Sequence, residues 1–178
     1  IAYFRKDLKQ LLQGLQALNK NKWNQPNAQL AIAIFIGSLP ILLVGMAIKL
    51  LWPNFNASPI RSIPAIAIIS ICMAFLLARA EKLSMRFKSL NSISARDGLI
   101  IGTGQLLALI PGVSRSGITL TTALFNGWRR QDAARFSFLL GIPSISIAGV
   151  VELQEILSGQ FRQETFPLIV GIFSAGIV

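Results

Sequence analysis

Long apolar segments alternate with short polar ones along most of the chain. Residues 28–51 contain one charged side chain and residues 63–78 contain none. A helix needs about 20 apolar residues to cross the roughly 30 Å hydrocarbon core of a bilayer, so both segments predict membrane helices. Residues 136–151 predict another, and residues 166–178 begin a further one. This pattern is typical of an all-α, polytopic integral membrane helix bundle, with one membrane domain over residues 1–178.

Residues 1–27 follow a different pattern. Residues 3–18 predict an amphipathic helix, because apolar side chains recur at helical spacing with basic residues between them. Residues 19–27 form a polar connector. Two interpretations remain open: a helix lying on the membrane surface, or the extended end of a membrane helix that starts further upstream. The predicted apolar face consists of Phe4, Leu8, Leu11, Leu12, Leu15 and Leu18.

The two ends of the sequence indicate a piece of a longer protein. The first residue is Ile1 rather than Met, and the last, Val178, lies within an apolar segment. We therefore expect a fragment that is truncated at its N-terminus and at its C-terminus.

Residues 98–127 interrupt the series of full-length spans. Their apolar parts, 98–111 and 117–127, correspond to about 21 Å and 16 Å of helix, which is too short to cross a bilayer. Between them lies a polar turn, residues 111–117, with the sequence PGVSRSG. Irregular backbone at membrane depth is tolerated only inside protein or beside a wet cavity. The segment therefore predicts a re-entrant helical hairpin whose turn lies near the middle of the membrane.

Composition and charge favour a membrane protein over a soluble one. Hydrophobic residues make up 53% of the chain and charged residues 13%, about half the share of a soluble domain. The formal net charge is +10, and the basic residues are concentrated in 1–27, 79–97 and 128–135. If the hairpin returns to the side on which it starts, these segments share one side, which the positive-inside rule makes cytoplasmic. Because this distribution indicates membrane orientation, no nucleic-acid partner is expected.

Arg115 is the charged residue of the turn. An unpaired arginine at membrane depth costs about 3 kcal/mol on insertion scales, so it requires a partner. Its planar guanidinium matches two phosphate oxygens, and Ser114 and Ser116 add hydroxyl groups on either side. The pattern predicts a phosphate-binding turn. The alternative is that Arg115 pairs with a carboxylate on a neighbouring helix and that the serines only cap helices.

Neighbouring residues extend this predicted site. Gly112 and Gly117 allow the backbone to approach a ligand closely. Ser116 is expected to be the N-cap of a helix that starts near Gly117, whose free N–H groups favour an anion. Thr119 lies one turn further along the chain. Gln105 either lines the same cavity or bonds to a neighbouring helix.

Few other residues offer catalytic chemistry. The sequence has no histidine and one cysteine, Cys72, within an apolar segment. Glu81 lies between basic residues in what we expect to be a solvated loop, which makes it a poor general base. Asp132 is expected to pair with Arg135 or Arg129 at three-residue spacing. No acidic cluster suits a divalent cation, so no metal ligand is predicted.

Around the turn the sequence resembles a known enzyme family. Residues 104–119, with the sequence GQLLALIPGVSRSGIT, strongly resemble the second signature of undecaprenyl-diphosphate phosphatases of the bacitracin-resistance type. The segments GWRR (127–130), AARFSFLL (133–140) and IP (142–143) match the same family, and AEK (80–82) resembles a weaker family pattern. A seven-residue turn with a second block at the right distance is a specific signal.

The resemblance implies a multi-pass enzyme of the bacterial cytoplasmic (inner) membrane. Such enzymes hydrolyse undecaprenyl diphosphate to undecaprenyl phosphate plus phosphate, which recycles the lipid carrier of peptidoglycan synthesis and confers bacitracin resistance. The family's signature arginine falls on Arg115, and its phosphate-contacting hydroxyls fall on Ser114, Ser116 and Thr119. With the residues discussed above, the predicted site comprises Arg115 and Ser114 as catalytic residues and Ser116, Gly117, Thr119, Gly112 and Gln105 as phosphate-binding residues.

The resemblance also implies a second half. The family is built from two inverted repeats, each with a re-entrant hairpin, and the two hairpins form one site. The present hairpin matches the second, so the expected partners are the missing N-terminal repeat of the same protein, a polyprenyl diphosphate lipid and the membrane. The first signature, with its glutamates, serine-rich turn and histidine, has no counterpart in this sequence. The general base or nucleophile is therefore expected in the missing repeat, and this fragment alone is predicted to be inactive.

Cofactor and rival functions complete the expectations. The family is described as needing a divalent cation, Mg²⁺ or Ca²⁺, but no cofactor is predicted within these residues. A homo-oligomer is compatible with the sequence. The main alternative is a transporter or flippase for polyprenyl phosphates or other anions, because broken helices that face an anion are also a transporter device. A structural subunit that uses Arg115 in helix packing is a further alternative.

Overall fold

The computed structural model describes residues 5–52, 55, 58–84, 87–155, 170, 171 and 174. The chain divides into two compact units, Ile1–Ile142 and Pro143–Val178. The described residues form helices and one isolated bridge between Lys88 and Trp128, which confirms the predicted all-α class. The α-helices are α1 (Arg5–Asn19), α2 (Pro26–Leu51), α3 (Ile63–Leu83), α4 (Ala95–Gln105), α5 (Arg115–Phe125) and α6 (Arg130–Glu155). Short 3₁₀ helices lie at Pro59–Arg61, Leu90–Ser92 and Leu106–Leu109.

Three described helices are long and apolar enough to cross a membrane: α2, α3 and the part of α6 from Arg130 to Val151. This finding confirms the predicted membrane helix bundle. Helix α2 starts at Pro26, where a proline is tolerated because the N–H groups of the first turn have no partner inside the helix. The helix is followed by Trp52, a residue type that favours the boundary between hydrocarbon and water.

Two helices extend beyond their predicted apolar segments. Helix α3 continues to Leu83 rather than ending near residue 78, and α6 begins at Arg130 rather than near residue 136. The added turns carry Glu81 and Arg130, whose Oε1 and Nε atoms lie 3.0 Å apart. The prediction of a loop at Glu81 is therefore wrong. Charged residues end the apolar part of a helix, but lysine, arginine and glutamate are good helix formers and let the helix itself continue.

The C-terminal predictions are only partly covered. Helix α6 continues to Glu155, beyond the predicted span 136–151. The predicted membrane helix at 166–178 lies outside the described residues, apart from Val170, Gly171 and Ser174.

Glycines bring α2 and α4 into close contact. A Cβ atom added to Gly102 would lie 2.1 Å from the carbonyl oxygen of Gly37, and one added to Gly98 would lie 2.2 Å from that of Ala33. Small residues let two helix backbones approach in this way, which is a common means of helix association in membranes. Leu140 of α6 packs against the same Gly37. The closely packed pair α2–α4 therefore supports the turn and α5, which follow α4 in the chain.

The core of the larger unit joins α2, α4, α5 and the first half of α6. Trp128 and Phe136 are fully buried, with ring centroids 5.5 Å apart. Other fully buried side chains of this core include Ile101, Ala123, Leu124, Leu139 and Leu140. Helices α4 and α5, which lie before and after the turn, are thus packed into this core.

The close contact between α2 and α4 makes a stability prediction. Substituting Gly102→Ala places a methyl group against the Gly37 backbone, which cannot move aside as a flexible side chain can. We expect the full-length protein to lose about 1–3 kcal/mol of unfolding free energy. The free energy is measured by denaturant titration in detergent micelles.

Gly149→Ala is the matched control, because a Cβ atom at Gly149 would meet no atom of the described residues within 4 Å. This substitution should leave stability unchanged or raise it slightly, since alanine is the better helix former. Equal effects of the two substitutions would contradict the assignment of Gly102 as a close-packing position.

Candidate functional site

Ser114, rather than Ser116, caps helix α5. Its backbone is extended, with φ −67° and ψ 124°, and its Oγ accepts a hydrogen bond from the N–H of Gly117 at 3.2 Å. The prediction that Ser116 is the N-cap is wrong, because the helix already begins at Arg115. The Oγ atoms of Ser114 and Ser116 lie 3.4 Å apart, so both hydroxyl groups are at the start of the helix.

Arg115 is the first residue of α5, and its guanidinium is partly buried. Its Nη1 atom is buried and makes no hydrogen bond to any residue that the structure describes. Among the described ion pairs, none joins Arg115 to a carboxylate, so the alternative of a neighbouring acidic partner gains no support there. A buried cation without a counter-charge is costly. The Nη1 donor is therefore suited to an anion bound from outside the described residues.

Thr119, one turn into α5, and Gln105, at the end of α4, are both fully buried. The Thr119 hydroxyl donates to the carbonyl oxygens of Arg115 at 2.9 Å and Ser116 at 3.2 Å, so its proton is used within the first turn of α5. Gln105 is the last residue of α4, directly before the 3₁₀ helix Leu106–Leu109. Through its hydrogen bonds Thr119 stabilises the first turn of α5.

Gly112 fixes the turn against α3. Its φ of +94° lies in the left-handed region, which favours glycine, and an added Cβ would lie 2.8 Å from the carbonyl oxygen of Ile66. The Ser70 hydroxyl lies 2.8 Å from the carbonyl oxygen of Ile66 and 3.2 Å from that of Gly112. Sequence reasoning missed Ser70, because a single serine in an apolar helix gives no sign of which distant backbone group it reaches.

Gly117 completes the cap of α5. A Cβ atom at this position would lie 3.1 Å from the Cβ and 3.3 Å from the Oγ of Ser114, the atom that accepts the Gly117 hydrogen bond. The glycine therefore leaves room for the capping side chain at a position where a larger residue would press on it. Gly117 and Ser114 act together as one local unit.

The turn lies beside the first half of α3. It contacts Ile66 and Ser70, close to the start of that helix, and Leu109 just before the turn contacts Gly45, close to the end of α2. The segment between α4 and α5 is a 3₁₀ helix followed by non-helical residues, which cover more length per residue than an α-helix. The depth of the turn in the membrane stays a prediction.

The opposite end of the hairpin is held by a polar cluster around Asp97, at the start of α4. Its Oδ1 accepts hydrogen bonds from Lys88 Nζ at 2.7 Å and from Asn126 Nδ2, just after α5, at 2.9 Å. Its Oδ2 accepts from the N–H of Ser94 at 3.2 Å and its hydroxyl at 2.7 Å. Asp97 therefore joins the beginning of α4 to the end of α5, and both ends of the hairpin lie at the same end of the helices.

Burial of Asp97 acts to raise the pKa of its carboxyl group. The hydrogen bonds and positive charge of Lys88, with the hydrogen bonds from Ser94 and Asn126, outweigh this effect and leave the pKa below its ordinary value. Asp97 is therefore charged at neutral pH. Its contribution to stability is present above the ordinary carboxyl pKa of about 3.9 and is lost as the pH falls below it.

Two further acidic residues, Asp132 and Asp7, pair with Arg135. Asp132 Oδ1 lies 3.9 Å from Arg135 Nη1, at the predicted three-residue spacing. The closer partner of Arg135 is Asp7 of α1, whose Oδ1 lies 2.9 Å from Arg135 Nε. This contact between distant parts of the chain could not be predicted from local spacing.

A divalent cation does not fit the described residues of the turn. No three His, Cys, Asp or Glu side chains among the described residues form a group that could hold a metal ion. The turn offers hydroxyl groups and a guanidinium, whereas Mg²⁺ and Ca²⁺ are bound mainly by carboxylate and carbonyl oxygens.

Comparison with known proteins places these features in a family. The family model described as bacitracin resistance protein BacA matches residues 1–178. The chain is 55% identical over 179 residues to an undecaprenyl-diphosphatase of Prochlorococcus marinus (strain MIT 9303), with 100% of the chain and 61% of the relative covered. It is 56% identical to an undecaprenyl-diphosphatase of Synechococcus sp. (strain WH7803), covering 100% of the chain and 63% of the relative. The chain thus spans about three fifths of the length of these curated relatives.

The Asp97 cluster makes a prediction about stability and its pH dependence. Asp97→Asn removes the negative charge that pairs with Lys88, and we expect a loss of about 1–3 kcal/mol at neutral pH. The loss should shrink as the pH falls through the ordinary carboxyl range, because the wild-type protein then loses the same charge. Unfolding free energies of the full-length protein between pH 3 and 7 measure this difference, with both values taken at the same ionic strength.

Asp132→Asn serves as the control. Among the described ion pairs, Asp132 takes part only in the long contact to Arg135, which already pairs with Asp7, so the effect should stay below about 0.5 kcal/mol. A pH-independent loss in Asp97→Asn would contradict a role for its charge.

Proposed function

Because the chain belongs to the family of bacitracin resistance proteins, BacA, we propose that it is part of an undecaprenyl-diphosphatase. The whole enzyme hydrolyses undecaprenyl diphosphate to undecaprenyl phosphate plus phosphate. This reaction regenerates the lipid carrier of peptidoglycan synthesis and counteracts bacitracin. The observation that carries the proposal is the buried Nη1 of Arg115, which lacks a hydrogen-bond partner among the described residues and lies at the capped start of α5.

The turn is suited to bind the phosphate group that is released. Hydrolysis of a phosphoanhydride requires that negative charge on the transferred group be neutralised and that the group be held in line with the attacking oxygen. The Arg115 guanidinium can contact two phosphate oxygens at once. The free N–H groups at the start of α5 favour the same anion. A preformed site of this kind stabilises the charge of the transition state without further rearrangement.

Ser114 and Ser116 contribute hydroxyl donors to the same phosphate. Ser114 Oγ accepts the hydrogen bond from Gly117, which leaves its own proton for a phosphate oxygen or for Ser116. A serine is a weak nucleophile without an adjacent base, and the described contacts of Ser114 include no carboxylate and no amine. We therefore assign Ser114 to substrate binding and place the attacking group and general base in the N-terminal repeat of the same protein.

The membrane orientation follows from the charged ends of the helices. The starts of α2 and α6, the end of α3 and the base of the hairpin share one end of the larger unit, which holds most of the basic residues. The positive-inside rule places this end in the cytoplasm of a multi-pass protein of the bacterial cytoplasmic membrane. The Arg115 turn then lies nearer the outer surface. A long isoprenoid tail can remain in the bilayer while the diphosphate reaches the turn.

The relatives' names favour hydrolysis over transport. Transporters also use half-length helices that point at an anion. The two relatives compared above are both named undecaprenyl-diphosphatase, and neither name refers to transport. The Asp97 cluster, which joins α4 to the end of α5 at the hairpin base, also suits a fixed binding site better than a moving gate.

The Arg115 assignment predicts a specific loss of activity. In the full-length enzyme, Arg115→Ala should lower the rate of phosphate release by roughly 10²-fold or more, about 3 kcal/mol of transition-state stabilisation. Arg115→Lys should recover little of the loss, because an ammonium group cannot make the two parallel contacts of a guanidinium. Phosphate release from undecaprenyl diphosphate in detergent measures both rates.

Arg129→Ala is the control for loss of positive charge near the hairpin. Arg129 is exposed and lies at the hairpin base, so its removal should change the rate much less. A folded Arg115→Ala enzyme with nearly normal turnover would refute phosphate binding by this turn.

A second prediction concerns the division of the active site. Residues 1–178 alone should release no phosphate, because the chain contains no histidine and its described turn contains no carboxylate. Co-expression with the N-terminal repeat as a separate chain should restore turnover where the two parts assemble. The same phosphate assay, with Arg115→Ala in the second chain as a control, measures this. Robust turnover by residues 1–178 alone, lost in Arg115→Ala, would show that this part holds a complete site.

A further inference from the structure

One face of helix α1 packs against the other helices of the larger unit. Gly14 and Ala17 are buried, and a Cβ atom added to Gly14 would lie 2.1 Å from the carbonyl oxygen of Asn27. Asp7, about two turns nearer the start of α1 than Gly14, is bound by Arg135. Asn27 and Arg135 lie near the starts of α2 and α6, so α1 lies across one end of these helices. This arrangement favours a surface helix over an extension of a membrane span.

The second side of α1 is strongly basic. Arg5 and Lys9 lie one turn apart with Lys6 beside them, and all three are exposed. The one acidic residue of the helix, Asp7, is turned away and paired with Arg135. None of the described ion pairs includes the three basic residues. Two further exposed cations, Lys20 and Lys22, follow directly after the helix. The outer surface of α1 therefore has positive charge that the described residues do not neutralise.

The third side of α1 is apolar and exposed. Leu12 and Leu15 are 61% and 53% exposed, and with the half-buried Leu8 they form a stripe at four- and three-residue spacing. Trp23, just after the helix, is 54% exposed. The predicted apolar face is thus divided: Leu8 and Leu11 pack against the core, while Leu12 and Leu15 do not. Phe4, which was also predicted to belong to it, lies outside the described residues.

We propose that α1 lies in the interface of the cytoplasmic leaflet and binds the headgroups of anionic glycerophospholipids. The protein-facing side then contacts α2 and α6. The apolar side contacts the acyl chains, and the basic side contacts the phosphate groups. This combination is the pattern of helices that lie in a membrane interface, and tryptophan favours the same depth. The leaflet rests on the membrane orientation proposed above. The substrate contact at Arg115 is not involved, because it lies toward the other end of the helices.

The test compares lipid binding by variants of the full-length protein. Purified protein in detergent is titrated with dioleoyl-phosphatidylglycerol or dioleoyl-phosphatidylcholine, and the bound lipids are counted by native mass spectrometry. A cation near an anionic membrane surface contributes about fivefold to binding. We expect a preference for phosphatidylglycerol that falls about fivefold in Lys9→Gln and roughly 25-fold in Lys6→Gln/Lys9→Gln. The preference should also weaken as salt is added.

Arg61→Gln is the charge-matched control, because Arg61 follows the other end of α2 and lies over the Phe55 ring at 5.7 Å. This variant should keep the full preference, and unchanged thermal midpoints verify that each variant is folded. The proposal is overturned if the wild-type protein shows no preference, or if Lys6→Gln/Lys9→Gln and Arg61→Gln behave alike. Arg115→Ala should lose hydrolysis and keep lipid binding, so a failure of the phosphatase assignment remains distinguishable from a failure of this one.

Discussion

The charge on Arg115 is the constraint around which the turn is built. A guanidinium whose Nη1 is buried and unpartnered among the described residues is unfavourable unless an anion reaches it. The neighbouring groups have the polarity that such an anion needs: two serine hydroxyls and the free N–H groups at the start of α5. In the function proposed above, a bound phosphate removes this cost. Such sites are common where binding and catalysis outweigh stability.

The rest of the hairpin holds this turn in place from two directions. At the base, Asp97 binds Lys88 and Asn126 and so fixes α4 and α5 at the same end of the unit. Near the tip, the Ser70 hydroxyl and the close approach of Gly112 to Ile66 attach the turn to α3. The glycine contacts between α2 and α4 supply a rigid support between these points. The proposed phosphate contact depends on a position that is fixed in this way.

Features that depend on neighbouring residues in the sequence were easier to predict than features that depend on residues far apart in the sequence. The long apolar runs predicted α2 and α3 because membrane thickness is a strong constraint on a single segment. The ends of α3 and α6 were misplaced because hydropathy reports where lipid ends, whereas Glu81 and Arg130 continue the helices as a pair. Likewise, Ser114 and Ser116 are equally good caps by residue type. Only the backbone geometry of the turn decides between them.

Contacts between distant residues were not predictable. Asp97 joins Lys88 to Asn126 across the hairpin, and no local pattern in the sequence indicates this contact. Ser70 and the Asp7–Arg135 pair are of the same kind. The phosphate-binding chemistry of the turn stays a prediction, which rests on the few uses of an arginine between serines and glycines in an apolar environment.

The most direct test of the account is a distance between Arg115 and the bound phosphorus. The full-length protein is labelled with ¹⁵N-arginine, reconstituted in bilayers and bound to a methylene-bisphosphonate analogue of undecaprenyl diphosphate. Solid-state NMR then measures ¹⁵N–³¹P dipolar dephasing, and Arg115→Lys identifies the signal of Arg115. The account predicts strong dephasing of the Arg115 guanidinium, as expected for a direct contact with phosphate. Full occupancy of the analogue without any dephasing at Arg115 would contradict it.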